Sequence, residues 1–132
     1  CKPVPVEITY GLERLCMFVQ GKNNVFDLDW NDEGVKYKEV FFKAEKEFSA
    51  YNFEFANTDT LLKNFENTEN ECKSLLQKNL SLPAYDQCLK ASHIFNLLDA
   101  RGVIGVAERT GYITRIRELA KGCGALWLSS QS

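Results

Sequence analysis

Beyond Lys36 the apolar residues recur three and four positions apart almost to the end of the chain, a spacing that suits helices rather than alternating strands. The first helix is expected near Tyr37–Phe53, with Val40, Phe41, Ala44, Phe48 and Tyr51 on one side. A second follows the Asn57–Asp59 cluster, whose short polar side chains suit a helix cap, and carries Leu61, Leu62, Phe65, Cys72, Leu75 and Leu76 as its stripe. Asn79–Leu82 breaks it. Pro83 is expected at the first position of a third helix, where its missing N–H costs nothing. Ala84, Cys88, Ala91, Phe95 and Leu98 form that helix's buried side, and Gly102 its stop. The last helix is expected over roughly Val103–Ser129, with Val106, Ile113, Ile116, Ala120, Cys123 and Trp127 inward. Gly105, Gly111, Gly122 and Gly124 each lower its intrinsic helicity by up to ~1 kcal/mol, so packing has to hold it. Residues 37–132 therefore read as a bundle of about four, mostly antiparallel helices.

Residues 1–36 read differently. Val4–Tyr10 alternates, with Val6, Ile8 and Tyr10 on one face and Glu7, Thr9 and the bare Gly11 on the other, the pattern of a half-buried strand. Leu12–Gln20 then carries Leu12, Leu15, Cys16 and Val19 at helical spacing, with Met17 and Phe18 filling the other side. A helix apolar nearly all round is expected to be buried, and Gly21 is a natural stop for it. Lys22–Lys36 is a connector rich in Asn, Asp and Gly, which Val25, Phe26, Leu28 and Trp30 pin down. There is no internal repeat. A start at Cys1, running almost at once into a strand pattern, is what the C-terminal part of something longer would show.

Composition removes several classes of function. With 45% hydrophobic and 26% charged residues the chain is that of an ordinary globular protein. A formal net charge of −2 provides no global basic field, so any contact with RNA has to come from a local patch. No apolar run approaches the roughly 20 residues that cross a bilayer, and no signal peptide is recognisable. The five cysteines, Cys1, Cys16, Cys72, Cys88 and Cys123, form no C-x-x-C pair, and His93 is the only histidine. A zinc site needs close-spaced ligands, so no metal ligand is expected here. Odd, scattered thiols suit a reducing cytoplasm better than a disulfide framework, and most are expected to act as small buried hydrophobes.

The stretch that bears chemistry is I-T-Y-G-L-E-R, Ile8–Arg14. Gly11 removes a side chain where a ligand can lie against backbone. Arg14 falls in the first helical turn, where free N–H groups and the helix dipole already favour anions. Its planar guanidinium can stack on a purine or reach phosphates in a way lysine cannot. From the residues alone, an ordinary surface ion pair between Glu13 and Arg14 is the commoner reading of such a stretch.

Gly–hydrophobic–Glu–Arg at the end of a strand–helix unit resembles the third signature motif of class II aminoacyl-tRNA synthetases. The agreement extends further with one family. C-K-P-V, E-I-T-Y-G-L-E-R-L, V-F-D-L, S-A-Y-N-F-E, L-P-A-Y, L-L-D-A-R-G and E-R-T-G-Y-I-T-R-I-R all look like the alpha subunit of the bacterial heterotetrameric glycyl-tRNA synthetase, over essentially the whole chain. The resemblance implies a mainly α chain. Residues 1–36 would be the C-terminal, strand–helix end of a class II antiparallel α/β catalytic core, and residues 37–132 the helical bundle.

The implied activity is that of a glycine–tRNA ligase. ATP activates glycine to glycyl-adenylate, and the glycyl group passes to the 3′ end of tRNA(Gly). ATP would lie against Gly11, Glu13 and Arg14, with Arg14 as the catalytic arginine stacked on adenine and close to the γ-phosphate. Mg²⁺ would accompany the nucleotide, with no ligands assignable in these residues. The implied partners are the beta subunit, a second alpha chain in an α2β2 assembly, and tRNA(Gly), in the cytoplasm. The first and second class II motifs are not among these residues, so the chain by itself is expected to be inactive.

Where many class II members have further glycines, Glu7 and Thr9 stand on the strand face shared with Gly11. An enzyme for the smallest amino acid has no substrate side chain to grip and can only fill the space a larger one needs. Glu7 is thus a candidate for the glycine ammonium and Thr9 for narrowing the pocket, the alternative being that Glu7 bonds a neighbouring strand's partner. Farther on, Arg101, Arg109, Arg115, Arg117 and Lys121 outnumber Glu108 and Glu118, which offers a basic stripe to tRNA or a partner subunit or else a solvated helix face. For Asp99 and Arg101 pairing within the chain is expected; His93 is expected to be a structural or surface histidine, and Phe48, Tyr51, Phe53 and Phe55 to be bundle core, with a protein interface as the alternative. The alternative function is a helical binding module that joins the catalytic domain to the beta subunit or tRNA.

Overall fold

The computed structural model describes residues 2–131 and is mainly helical: α1 Leu12–Gln20, α2 Tyr37–Ala50, α3 Thr58–Gln77, α4 Ser81–Ala100 and α5 Val106–Ser129. A 3-10 turn, Val25–Asp27, and a π-helical turn, Tyr51–Phe55, complete the regular structure. The chain divides into two compact units, Cys1–Ser49 and Ala50–Ser132.

In the first unit, Val4–Tyr10 is not a strand. A strand exists only through a ladder to a neighbour, and among the described residues the one β-bridge joins Asp29 to Lys36. The alternating side chains are consequently in solvent, with Val6 87% exposed. The α/β end expected of this region is therefore absent among the described residues. Helix α1 does form where the periodicity places it, and it ends as expected at Gly21, which is left-handed at φ 62°. The Lys22 N–H closes that end on Met17 O at 2.9 Å. Its burial is not as expected: no residue of α1 is buried, and Phe18 is 87% exposed. The apolar sequence remains, but no described residue covers it.

What holds this unit together is the connector. The Gln20 side chain bonds both backbone groups of Asp29, Asn31 Oδ1 accepts from the N–H groups of Glu33 and Val35, and Lys36 pairs with Asp29. Leu28 is buried, and Phe26, Trp30, Tyr37 and Phe41 pack against one another as tilted and edge-on aromatic pairs.

The second unit carries the hydrophobic core. Phe65 and Cys72 from α3, Ala84, Cys88, Ala91 and Leu98 from α4, and Leu119 and Cys123 from α5 are buried together. Cys72 Sγ reaches Ala84 O at 3.1 Å, Cys88 Sγ lies 3.8 Å from Ile116 O, and Phe65 stacks edge-on against Tyr112. These pairings run α4 antiparallel to both neighbours and α3 parallel to α5, an up–down–up arrangement of three helices. The fourth helix of the expected bundle, α2, falls in the first unit.

The helix starts follow their caps. Asn57 Oδ1 accepts from the Thr60 N–H at 2.9 Å and opens α3. Helix α4 begins two residues before Pro83, which sits third in it; the first helical bond is Ala84 N–H to Leu80 O, so the proline still occupies a position that needs no donor. Helix α5 starts at Val106 rather than Val103, because Glu108 turns back to accept from the Gly105 N–H at 3.1 Å. That start leaves Val106 exposed, and Ala120 and Trp127 also face outward, while Leu119 and Cys123 point in. Phe48, Tyr51, Phe53 and Phe55, expected in the core, are exposed as well. The π-turn shifts the helical phase by one residue, closing Ala56 N–H on Tyr51 O at 2.7 Å, and Arg101 Nη1 donates to the buried Ala56 carbonyl at 2.8 Å.

Candidate functional site

Gly11 occupies φ 75°, ψ 131° immediately before α1, a conformation that L side chains rarely adopt although no atom within 4 Å would obstruct a Cβ. The first helical bond is Leu15 N–H to Gly11 O at 3.2 Å. The N–H groups of Leu12, Glu13 and Arg14 accordingly have no place in the helical ladder and point off the helix start, toward any anion placed there. Glu13 and Arg14 do not form the ion pair that was the alternative reading. Among the described residues neither is within 4 Å of an opposite charge, and Arg14 is exposed.

Upstream, Thr9 Oγ1 donates to Glu7 Oε1. The two side chains thus meet, as their spacing of two implies, and one carboxylate oxygen is left for another donor. Glu7, Thr9, Gly11 and Arg14 are all exposed, and no described residue forms an opposing wall. Glu13 also borders a cavity of about 330 Å³ shared with Asp29, Trp30, Tyr37 and Phe41. Burial, and then the Glu13 and Glu45 charges, push the Tyr37 phenol above its usual range. The bond from Lys36 holds the Asp29 carboxyl below the usual carboxylate range. Tyr37 escaped the sequence reading, since a phenol 24 positions from Glu13 leaves no local signal.

In the second unit, three of the four candidate arginines are engaged internally. Arg101 holds Ala56 O, Arg109 Nε bonds both oxygens of Asp99, and Arg115 forks onto Glu69 at 3.1 and 2.5 Å while lying over the Phe65 and Tyr112 rings. Arg117 is exposed and outside any ion pair among the described residues. The expected internal pairing of Asp99 is therefore with Arg109, and that of Arg101 is with a carbonyl. His93 is exposed beside Asn64, Asn67 and Lys90 in a shallow groove. Cys72, Cys88 and Cys123 are buried, Cys16 is exposed, and Cys1 lies outside the described residues. No three His, Cys, Asp or Glu side chains among the described residues come together as metal ligands.

A glycine turn at positive φ, free first-turn N–H groups and an arginine unpaired among the described residues make an anion-facing corner, and the whole chain, residues 1–132, matches an aminoacyl-tRNA synthetase family. That family is the glycyl-tRNA synthetase alpha subunit, and the chain belongs to it.

Proposed function

We propose that the chain contributes one wall of the ATP and glycine site of a glycine–tRNA ligase. The observation that carries this reading is the Gly11–Arg14 turn, with its outward N–H groups and exposed, unpaired Arg14. ATP lies against Gly11, Glu13 and Arg14, with the Arg14 guanidinium over the adenine and near the γ-phosphate. The glycine carboxylate attacks the α-phosphorus, giving glycyl-adenylate and releasing pyrophosphate, and glycine then passes to the 3′ end of tRNA(Gly). Arg14 supplies charge where phosphate oxygens become more negative. Glu7, held by Thr9, keeps a free oxygen for the glycine ammonium, and the Thr9 methyl fills space that a larger amino acid would need.

Residues 1–36 act in this reading as the end of the catalytic core, working with a beta subunit and a second alpha chain in the cytoplasm. Because the site residues meet no opposing wall among the described residues, the 132-residue chain alone should give no glycine-dependent ATP–pyrophosphate exchange. In the complete alpha/beta enzyme Arg14→Ala should lower exchange by about 10²–10³-fold with the fold retained; near-normal exchange would defeat the assignment. Glu7→Gln should raise the KM for glycine, and Thr9→Ser should weaken rejection of alanine. Unchanged values would remove these two residues from the pocket.

A second reading gives residues 37–132 the work of joining subunits. It is favoured by the internal engagement of Arg101, Arg109 and Arg115, which leaves little free positive charge for RNA. It is favoured also by an apolar groove of about 280 Å³ between Leu82, Tyr85 and Trp127. Trp127→Ala should then weaken association with the beta subunit, measured by gel filtration of the mixed subunits; undiminished association would set this reading aside.

A further inference from the structure

Each helix of the second unit buries a free cysteine in the shared core: Cys72 of α3, Cys88 of α4 and Cys123 of α5. Their surroundings differ. The Cys72 and Cys123 sulfurs lie 4.0 Å apart, in contact across the seam between α3 and α5. That seam is tight, since a Cβ on Gly122, next to Cys123, would meet Leu76 Cδ1 at 3.0 Å. A disulfide holds its sulfurs at ~2.05 Å, so the pair has about 2 Å to close, a distance that side-chain rotation can cover. Cys88 Sγ instead lies 3.8 Å from the Ile116 carbonyl.

Access separates the three further. Cys88 and Cys123 are each 3% exposed, and Cys72 is fully covered. Cys123, but neither Cys72 nor Cys88, lines the apolar groove of about 280 Å³ between Leu82 and Tyr85 of α4 and Trp127 of α5. A small molecule entering that groove therefore meets Cys123 first, with the Cys72 sulfur behind it. Cys72 donates its S–H to Ala84 O at 3.1 Å, and burial helps it to keep that proton. The thiolate is the reactive form, so Cys72 is suited to the second step of an oxidation and not to the first.

We propose that Cys123 and Cys72 form a redox site, in which a hydroperoxide entering the groove oxidises Cys123 and Cys72 then closes a disulfide between α5 and α3. In the first step the Cys123 sulfur attacks one peroxide oxygen. The O–O bond breaks, water leaves, and Cys123 becomes a sulfenic acid, oxidised by two electrons. In the second the Cys72 sulfur displaces that hydroxyl, which departs as water with the Cys72 proton as the S–S bond forms. Two thiols and one hydrogen peroxide thus give one disulfide and two waters. The product joins residues 51 apart in sequence and draws the Cys123 sulfur away from the groove toward α3. This site is independent of the Gly11–Arg14 turn and of the reading built on it.

The test is hydrogen peroxide treatment of the 132-residue chain in dilute solution, followed by alkylation and peptide mapping, with the exposed Cys16 as the reference thiol. Cys72 and Cys123 should be lost together and recovered as one cross-linked peptide, with Cys88 still free, and dithiothreitol should restore both thiols. Cys72→Ala should stop the reaction at a Cys123 sulfenic acid that dimedone captures, whereas Cys123→Ala should leave Cys72 reduced. Leu82 is 69% exposed, so Leu82→Trp can fill the groove with little disturbance to the core. It should slow oxidation of Cys123 several-fold without changing that of Cys16. Equal rates at Cys88 and Cys123 would mean that peroxide enters by unfolding, and an unaltered rate in Leu82→Trp would remove the groove as the path; either overturns the proposal. So does a chain whose Cys72 stays reduced while Cys123 is oxidised, or one in which neither reacts.

Discussion

Cys72 is held as a neutral thiol. Burial, and then the neighbouring Cys123 sulfur 4.0 Å away, push it from the ordinary 9.0 up to about 12; Cys88 is raised by burial first and Cys123 second. A raised thiol keeps its proton in the folded state while the unfolded chain releases it, so the stability it contributes is whole below pH ~9 and drains as pH rises toward 12. The unfolding free energy from urea titrations should fall between pH 8 and pH 10.5, by up to ~1.4 kcal/mol per pH unit for each such thiol. Cys72→Ala should make the fall shallower; an identical slope would show that other groups cause it. Glu69 has the opposite sign. The bond from Arg115 first, then Lys73, holds its carboxyl below 4.5 against the cost of burial, so its contribution is present above that value and lost as pH falls through the folded one. The two partners are unequal: Glu69 is 8% exposed and Arg115 37%. Arg115→Ala leaves a buried carboxylate with only Lys73 at 3.1 Å, whereas Glu69→Ala leaves an arginine that can turn to water. We expect Arg115→Ala to cost about 2–3 kcal/mol, under the ~3–5 of a fully buried pair, and to exceed Glu69→Ala. Chemical denaturation of the two variants checks the order.

At the scale of the element, helices were legible where one apolar stripe sufficed to define them. Of the stripes of α3 and α4, Leu61, Phe65, Cys72, Ala84, Cys88, Ala91, Phe95 and Leu98 are buried, while Leu62, Leu75 and Leu76 are partly buried against them. Helix α5 was legible in extent but not in facing, because its glycines dilute the stripe and its start depends on Glu108 reaching back to Gly105. The strand over Val4–Tyr10 failed for a physical reason: alternation specifies a face, whereas a ladder requires a second strand. The π-turn left no trace in the pattern, and the Glu69–Arg115 fork joins residues too far apart in sequence to be read. At the candidate site, the Gly11 turn and the shared face of Glu7 and Thr9 were readable from local spacing, whereas the bond between those two side chains and the place of Tyr37 beside the same cavity as Glu13 were not. The glycines of α5 also behave unequally. A Cβ on Gly122 would meet Leu76 Cδ1 at 3.0 Å, whereas one on Gly111 would meet nothing within 4 Å. Gly111→Ala should therefore raise stability by up to ~1 kcal/mol, and Gly122→Ala should gain less or nothing, since Leu76 has to give way. Thermal unfolding of the pair decides; equal gains would mean that the close approach of α5 to α3 is absent.

Taken as a whole, the molecule joins two units of unequal internal support. The second buries side chains from all three of its helices in one core and leaves no buried side-chain polar atom unbonded among the described residues. Among its described residues the first buries Leu28 alone and relies on exposed hydrogen bonds among Gln20, Asp29, Asn31 and Lys36. Local opening costs little where few apolar groups are shielded and the backbone bonds are open to water. Amide exchange on the 132-residue chain should accordingly separate the units, with the interiors of α3 and α4 the slowest and α1 the fastest of the helices. The same measurement bears on function. If α1 supplies the nucleotide-facing turn of a complete alpha/beta enzyme, its apolar residues are covered there, and the amides of Leu15–Gln20 should slow markedly on assembly while those of α4 change little. Adding ATP and glycine should then slow Leu12–Arg14, whose N–H groups have no partner until an anion arrives. Equal protection of α1 in the chain and in the assembled enzyme would mean that its exposed apolar face is not where the rest of the catalytic core packs.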